Sequence, residues 1–249
     1  MNTVAIIQAR MGSGRLPGKV LSHILDRPML GWVVERTKLS NVTEVVVATT
    51  KKKEDDTIEK WCKDGGYKIF RGSENDVLER FYKCAENYQA DAIVRITADD
   101  PLKDPIVINQ ALEIFSREGV DYCSNTINPS YPEGLDIEVF SYDALEKAFK
   151  GATLNSDREH VTPYIWNLRE RFSIAEFAHG EDLSQWRWTV DKPDDLDFIR
   201  DLLVASGAKI DVSYVDLIRV IKKSKALLLR CTGRTIRNEG YLQSLNKER

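Results

Sequence analysis

Histidine and cysteine are both scarce in this chain of 249 residues, with three of the first and four of the second. The cysteines (Cys62, Cys84, Cys123 and Cys231) form no C-x-x-C pair. Neither a zinc site nor a disulfide framework is therefore expected, and free thiols point to a reducing, cytoplasmic setting. The histidines lie far apart, which leaves a histidine-based metal centre without support. No apolar run approaches the roughly 18 residues that span a bilayer, so no membrane partner is expected. Met1-Asn2-Thr3 leads straight into a strand, without the charged and apolar regions of a secretory leader. Basic residues are not in excess: 36 Lys and Arg stand against 39 Asp and Glu, a formal net charge of -3. That balance argues against a nucleic-acid partner. Repeats, low-complexity tracts and linker-like composition shifts are absent too, so residues 1–249 read as a single domain.

What the chain does have is concentrated near its start. Residues 7–21 read I-Q-A-R-M-G-S-G-R-L-P-G-K-V-L, an apolar run feeding a loop with three glycines, two arginines and a lysine. The short β-branched run at Val4 to Ile7 predicts a buried strand. Glycine lets backbone N–H groups wrap an anion because no Cβ intervenes, and Arg10, Arg15 and Lys19 bring positive charge to the same place. A strand ending in such a loop is a polyphosphate cradle, although a surface loop that is merely basic has the same composition. Walker A does not fit, because Gly18-Lys19 is followed by Val20 rather than a hydroxyl residue. G-x-G-x-x-G does not fit either: Gly12, Gly14 and Gly18 leave three residues before the last glycine.

Strands and helices then alternate. Helices are predicted over 28–39, 55–64, 76–88 and 105–117, and strands over 44–50, 67–70 and 92–97. This order implies a mainly parallel sheet covered by helices on both faces. Ligands in such sheets sit beyond the carboxyl ends of the strands, so the first loop, Arg71-Gly72-Ser73 and Ala98-Asp99-Asp100 should converge on one cleft. The rhythm breaks afterwards: strands are predicted at 121–125, 137–142, 172–177 and 186–190, with a helix near 160–168. This reads as an inserted mixed or antiparallel region at about 122–180. Helices return at 193–206 and 214–223, and the tail at about 230–249 is polar and expected to be loosely held.

Two aspartates add chemistry to the loop. Asp99 and Asp191 each follow a predicted strand, and magnesium needs only one or two carboxylates because it keeps much of its water. Nucleotidyl transfer needs such a cation to neutralise the polyphosphate. Each aspartate also suits a helix N-cap, the bland alternative.

These segments carry a resemblance. I-I-Q-A-R-M-G-S-x-R-L-P-G-K-V-L, F-R-G-S-E-N-D-V-L-E-R-F, R-I-T-A-D-D-P-L, E-G-L-D-I-E-V-F, S-D-R-E-H-V-T-P-Y-I and W-T-V-D-K-P-D-D-L occur in this order. Together they resemble the cytidylyltransferase family, in particular its spore coat polysaccharide branch, related to acylneuraminate and 3-deoxy-manno-octulosonate cytidylyltransferases. The resemblance spans roughly residues 3 to 205 and continues weakly through 237–245. It implies a three-layer α/β/α fold with a mainly parallel, Rossmann-like nucleotide-diphospho-sugar transferase sheet. It also implies Mg2+-dependent transfer of CMP from CTP to an acidic sugar, sugar phosphate or related small acceptor, with release of pyrophosphate, in surface polysaccharide or glycoconjugate synthesis. Homodimerisation through the inserted region is a further implication.

Carried over residue by residue, Arg10, Lys19, Asp99 and Asp191 would be catalytic, with Asp99 and Asp191 holding the metal. The nucleotide would lie against Ala9, Arg10, Met11, Gly12, Ser13, Arg15, Lys19, Thr97 and Ala98, with Arg71 beside the base or ribose. The acceptor would meet Asp100, Glu133, Asp136, Glu138, Arg158, Glu159 and His160. Two positions depart from the family's pattern: Gly14 replaces a usual Thr or Ser, and Asp100 replaces a small residue. Asp100 is open between metal ligand, acceptor contact and solvated turn. His160 is open between acceptor contact and local packing in a helix capped by Asp157. Trp186 and Trp188 should share one face and pack the sheet, and the lysines at 51–53 and at 222, 223 and 225 read as solvated surface. Uridylyl-, guanylyl- and thymidylyltransferases of the wider fold usually show G-x-G-T/S-R followed by K-P, unlike this loop. A non-catalytic nucleotide binder would not need both carboxylates.

Overall fold

The computed structural model describes residues 1–232, 237 and 239–248. Its strands are β1 (Thr3–Gln8), β2 (His23–Ile24), β3 (Arg27–Pro28), β4 (Glu44–Thr50), β5 (Lys68–Gly72), β6 (Ala92–Thr97), β7 (Tyr122–Ser124), β8 (Glu138–Ser141) and β9 (Ile174–Glu176). Its helices are α1 (Met29–Lys38), α2 (Asp56–Asp64), α3 (Val77–Asn87), α4 (Pro105–Glu118), α5 (Tyr142–Gly151), α6 (Asn155–His160), α7 (Pro163–Asn167), α8 (Pro193–Ala205), α9 (Tyr214–Lys223), α10 (Lys225–Cys231) and α11 (Glu239–Glu248). Seven strands form one sheet in the order β5-β4-β1-β6-β8-β7-β9, and β2 and β3 make a small hairpin.

β1 shows why the sheet is three-layered. Every residue from Val4 to Ile7 is fully buried, as in a parallel strand covered on both faces. Val4 and Ile6 pack with α3 and α5, whereas Ala5 and Ile7 pack with α1, α4 and α8. All neighbouring pairs are parallel except those of β8, which runs against both β6 and β7. The mainly parallel sheet with a mixed region is therefore as expected. The chain builds outward from β1 to β4 and β5, then crosses back to β6 on its other side. That reversal opens a crevice at the carboxyl ends of β1 and β6, where Gln8 and Thr97 are register partners.

Local sequence sets the helix starts around this crevice. Asp76 caps α3 by accepting from Glu79 N at 2.8 Å, and Asp104 caps α4 by accepting from Ile106 N at 2.8 Å, with Pro105 in the first turn. Such caps contribute about 1 kcal/mol each.

Four expectations need correction. Residues 186–190 form no strand, only isolated bridges at Trp186 and Arg187. Val190 N donates to Asp99 O, Trp188 N to Glu133 O and Arg187 N to Cys231 O, so the segment stitches three separate stretches together rather than pairing with one. Trp186 and Trp188 nevertheless share one apolar cluster. The helix near 160–168 is two short helices, α6 and α7. They are separated by Val161 at φ 75°, ψ -54°, in a γ-turn closed by Thr162 N donating to His160 O at 2.9 Å. Leu154, not Asp157, is the N-cap of α6, and His160 is its last residue. The tail carries helix α11, docked on α6, where the Glu248 carboxylate accepts from Ser156 N and Oγ, each at 2.7 Å. Helix α5, capped by Ser141, was not foreseen at all.

Candidate active site

The loop after β1 is tied down at its start. Met11 N donates to Asp55 Oδ1 at 2.7 Å, and Gly18 N returns to Met11 O at 2.9 Å. Gly18, at φ 71°, opens a 3-10 turn, Lys19–Leu21, and turns Lys19 inward, where it is 8% exposed. All three ammonium protons of Lys19 are then used: Nζ donates to Asp99 Oδ2 at 2.9 Å, Asp191 Oδ1 at 2.8 Å and Val190 O at 2.8 Å. The second oxygen of Asp191 accepts from Arg187 at 2.5 Å and pairs with Arg15 at 2.9 Å, and Arg187 reaches Glu133 at 2.6 Å. Charges thus alternate from Asp99 through Lys19, Asp191 and Arg187 to Glu133.

Burial alone would push the Lys19 ammonium down, but Asp99 and Asp191 outweigh it and hold its pKa above the ordinary value. Burial likewise opposes ionisation of Asp191, and Lys19, Arg15 and Arg187 reverse that, holding it below the usual carboxylate range. Glu133 lies the other way: burial raises it further than Arg187 can lower it. His160 is lowered by burial and by the nearby Arg95, which favours a neutral ring at neutral pH.

Two cavities meet around this chain of charges, and a third adjoins them. One, of about 390 Å³, is lined by Asp99, Asp100, Glu133, Asp136, Glu138 and His160, with Trp166 and Tyr241 as an aromatic wall. A second, of about 510 Å³, lies under the loop and is lined by Ala9, Arg10, Gly12, Ser13, Arg15 and Lys19, together with Thr97, Ala98, Asp99 and Asp191. A third, of about 670 Å³, shares Gln8, Ala9 and Arg10 with the second and is bounded by Asp76, Arg80, Arg158 and Glu159. Asp99 and Asp191 stand where the first two meet.

The sequence expectations divide accordingly. Met11 lies beneath the loop and serves it through its backbone. Arg71, expected beside the base or ribose, lines none of these cavities. It is on β5, beyond β4, so about 10 Å of sheet separates it from β1. Its guanidinium is spent on Asp56 at 2.7 Å, Glu59 at 2.5 Å and the carbonyls of Thr50 and Lys52. Arg158 and Glu159 face the third cavity rather than the first, and Arg158 is clamped by Asp76 at 2.5 Å and by the Phe149 and Ala152 carbonyls. Asp100 is a buried ion pair with Lys103 at 2.9 Å and accepts from Thr97 Oγ1 at 2.6 Å, so it is not a solvated turn residue. Glu138 is paired with Arg95 and accepts from Tyr122 at 2.8 Å. Asp136 is paired with Arg237.

Sequence reasoning missed Arg187, Lys103 and Arg95. Arg95 left a signal, a charge in the middle of the apolar strand A-I-V-R-I-T.

The donor set suits a hard divalent cation. Two carboxylates from distant segments already share one cation, Lys19, and the described residues hold no cluster of three or more metal-ligating side chains that would make a protein-only cage. Magnesium takes that kind of site when substrate phosphates and water complete its shell.

A basic loop facing paired carboxylates at the reversal point of a parallel sheet defines an α/β nucleotide-binding protein. The cytidylyltransferase family model matches residues 4–222. The uncharacterized protein MJ1063 of Methanocaldococcus jannaschii is 40% identical over 224 residues, 89% of each chain. The spore coat polysaccharide biosynthesis protein SpsF of Bacillus subtilis is 33% identical over 236 residues, 88% of this chain and 93% of that protein. A cytidylyltransferase structure from Leptospira borgpetersenii superposes with a TM-score of 0.87 at 35% identity, covering 96% of this chain and 100% of the other. The fold is also that of CMP:2-keto-3-deoxy-manno-octonic acid synthetase complexed with CTP, at a TM-score of 0.63 and 20% identity, covering 82% and 99% of the two chains. The chain belongs to the cytidylyltransferase family.

Proposed function

We propose that this enzyme transfers CMP from CTP to a sugar acid or a closely related small acceptor, releasing pyrophosphate, as a step in surface polysaccharide synthesis. The observation that carries this reading is the convergence of Asp99 and Asp191 on Lys19 between a basic-loop cavity and a separate polar one. Support for the acceptor class comes from relatives. Similar chains are named 3-deoxy-manno-octulosonate cytidylyltransferase and 8-amino-3,8-dideoxy-manno-octulosonate cytidylyltransferase.

In this mechanism the triphosphate lies under the loop, and the acceptor oxygen enters from the first cavity and attacks the α-phosphorus in line. Arg10, whose guanidinium makes no ion pair among the described residues, offers it to the phosphates, while Arg15 and Lys19 exchange their aspartate contacts for phosphate ones. Preorganised charges of this kind stabilise the transition state without reorganising as the reaction proceeds. Asp99 and Asp191 would hold magnesium, which supplies positive charge to the triphosphate and to the departing pyrophosphate. The acceptor cavity keeps its own acids neutralised by Lys103, Arg95 and Arg187. Trp166 and Tyr241, packed edge to face with 73° between their planes, give an aromatic corner against which a sugar ring can lie. No helix among the described residues is long and apolar enough to cross a membrane. The four cysteines are buried free thiols, which supports a cytoplasmic site of action. Dimerisation through residues 122–180, where Leu154 is exposed, belongs to the same reading, and light scattering on the eluting protein tests it.

Pyrophosphate release from CTP, measured with a panel of sugar acids with and without Mg2+, tests the function. Release that depends on one acceptor and on CTP supports it. Release with UTP alone, or with no acceptor in an exhaustive panel, overturns it.

A further inference from the structure

Three side chains bordering the third cavity, Gln8, Arg80 and Arg95, carry a buried polar atom without a partner among the described residues, and of these Arg95 is already paired with Glu138. Arg80, on α3, is 3% exposed, yet within the described residues it makes one hydrogen bond, donating Nη1 to Ser73 O at 2.5 Å. Its Nε is buried without an acceptor, and no carboxylate pairs with it among the described residues. Gly72 makes room for it, since a Cβ there would stand 2.8 Å from Arg80 Cγ. Gln8, the last residue of β1, lines both the second and third cavities, and its Oε1 is also buried and unpartnered. Burying such groups without a partner is unfavourable, so their placement beside a cavity points to a ligand that satisfies them.

We propose that Arg80 and Gln8 together read the Watson–Crick edge of cytosine, and that Arg80 fills the base-contacting role expected of Arg71. This rests on the CTP reading above. Cytosine presents one donor, the N4 amine, followed by two acceptors, N3 and O2. A carboxamide oxygen beside a forked guanidinium supplies the complementary row of one acceptor and two donors. Guanine offers cytosine the same row in a duplex. Uracil inverts the first two groups, so its O4 would face the Gln8 oxygen and its N3–H would face an Arg80 N–H. Arg10, next to both in the same cavity, remains for the phosphates. Burial and Arg10 push the Arg80 pKa down to about 10, which still leaves the guanidinium charged and able to donate at neutral pH.

Calorimetric titration of the full chain with CTP and with UTP, both with Mg2+, tests the assignment in wild type, Arg80→Lys and Gln8→Leu. CTP affinity should fall about 10- to 100-fold in each variant, UTP affinity should change much less, and the preference should shrink towards one. A merely structural role would weaken both nucleotides equally, and a folded Arg80→Lys that keeps the full CTP preference overturns the proposal. A wild type without preference for CTP overturns the function reading itself, which separates the two failures. Should the variants fail to fold, wild type with the triphosphate of 2-pyrimidinone riboside, which lacks the N4 amine, decides. Affinity at least 10-fold below CTP supports the assignment, and equal affinity refutes it.

Discussion

The Lys19 ammonium lies 2.8 Å from the Asp191 carboxylate although 172 positions separate them. The contact closes the crevice at the sheet's reversal point, because Asp191 follows the stretch that stitches Glu133, Asp99 and Cys231 together. It also fixes the charge order of the site before any nucleotide arrives. One lysine does in the free protein what phosphate and metal would share in the complex.

Asp99→Asn should therefore lower pyrophosphate release about 100- to 1000-fold, the usual loss when a preorganised charge contact is removed. The Asp99 side chain is 30% exposed, so the fold should survive, with a thermal midpoint close to wild type. Turnover above about a tenth of the wild-type rate would argue against its role at the metal.

The Lys19–Asp191 pair should also leave a signature in stability against pH. The Asp191 pKa is depressed below its ordinary 3.8 on folding, so its contribution is present above that value and lost as pH falls through the folded pKa. The Lys19 pKa is raised above 10.5, so its contribution is present below that value and lost as pH rises through the folded one. Urea unfolding of wild type against Lys19→Met should show a gap that is widest between about pH 5 and pH 9 and narrows in acid. A gap that grows as pH drops below 3.8 would refute the assignment.

Much of this was legible beforehand, for identifiable reasons. Parallel strands buried on both faces leave continuous apolar runs such as Val4 to Ile7, and the loop's glycines and cations declare an anion site by their chemistry alone. What could not be read is lateral distance. Arg71 and Arg80 lie nine positions apart in one motif, yet the strand carries the first to the sheet edge while the helix brings the second to the third cavity, which Arg10 also lines. Residues 186–190 have strand composition, but their backbone finds three partners instead of one, and only tertiary structure decides that. Helix α11 buries no residue of its own. Its polar sequence gave no hint that contacts with α6 would hold it across the first two cavities.

Removal of divalent cations should stop turnover without unfolding the protein. With EDTA, pyrophosphate release should fall to background and return on adding Mg2+. Asp191→Asn should raise the Mg2+ concentration needed for half-maximal rate, because one of the two proposed carboxylate ligands loses its charge. Full activity in EDTA-treated, metal-free buffer would sink the metal role.

Gly134 offers a test of how the acceptor side is built. It sits at φ 106°, and a Cβ there would lie 3.0 Å from the Trp188 carbonyl carbon and 3.1 Å from Thr189 N, both backbone atoms that cannot swing aside. Its neighbour Glu133 exchanges hydrogen bonds with this same stretch, donating to Trp186 O at 2.8 Å and accepting from Trp188 N at 2.7 Å. Gly134→Ala should therefore force the Glu133 and Trp188 segments apart and cost about 1–3 kcal/mol. Activity should fall with it, since Arg187 and Asp191 lie on the displaced stretch. Gly180→Ala is the control: apart from its chain neighbours, no atom of the described residues lies within 4 Å of the added methyl, so its stability should stay within about 0.5 kcal/mol of wild type. Equal stability losses in the two variants would show that the close approach at Gly134 does not set the geometry of this wall.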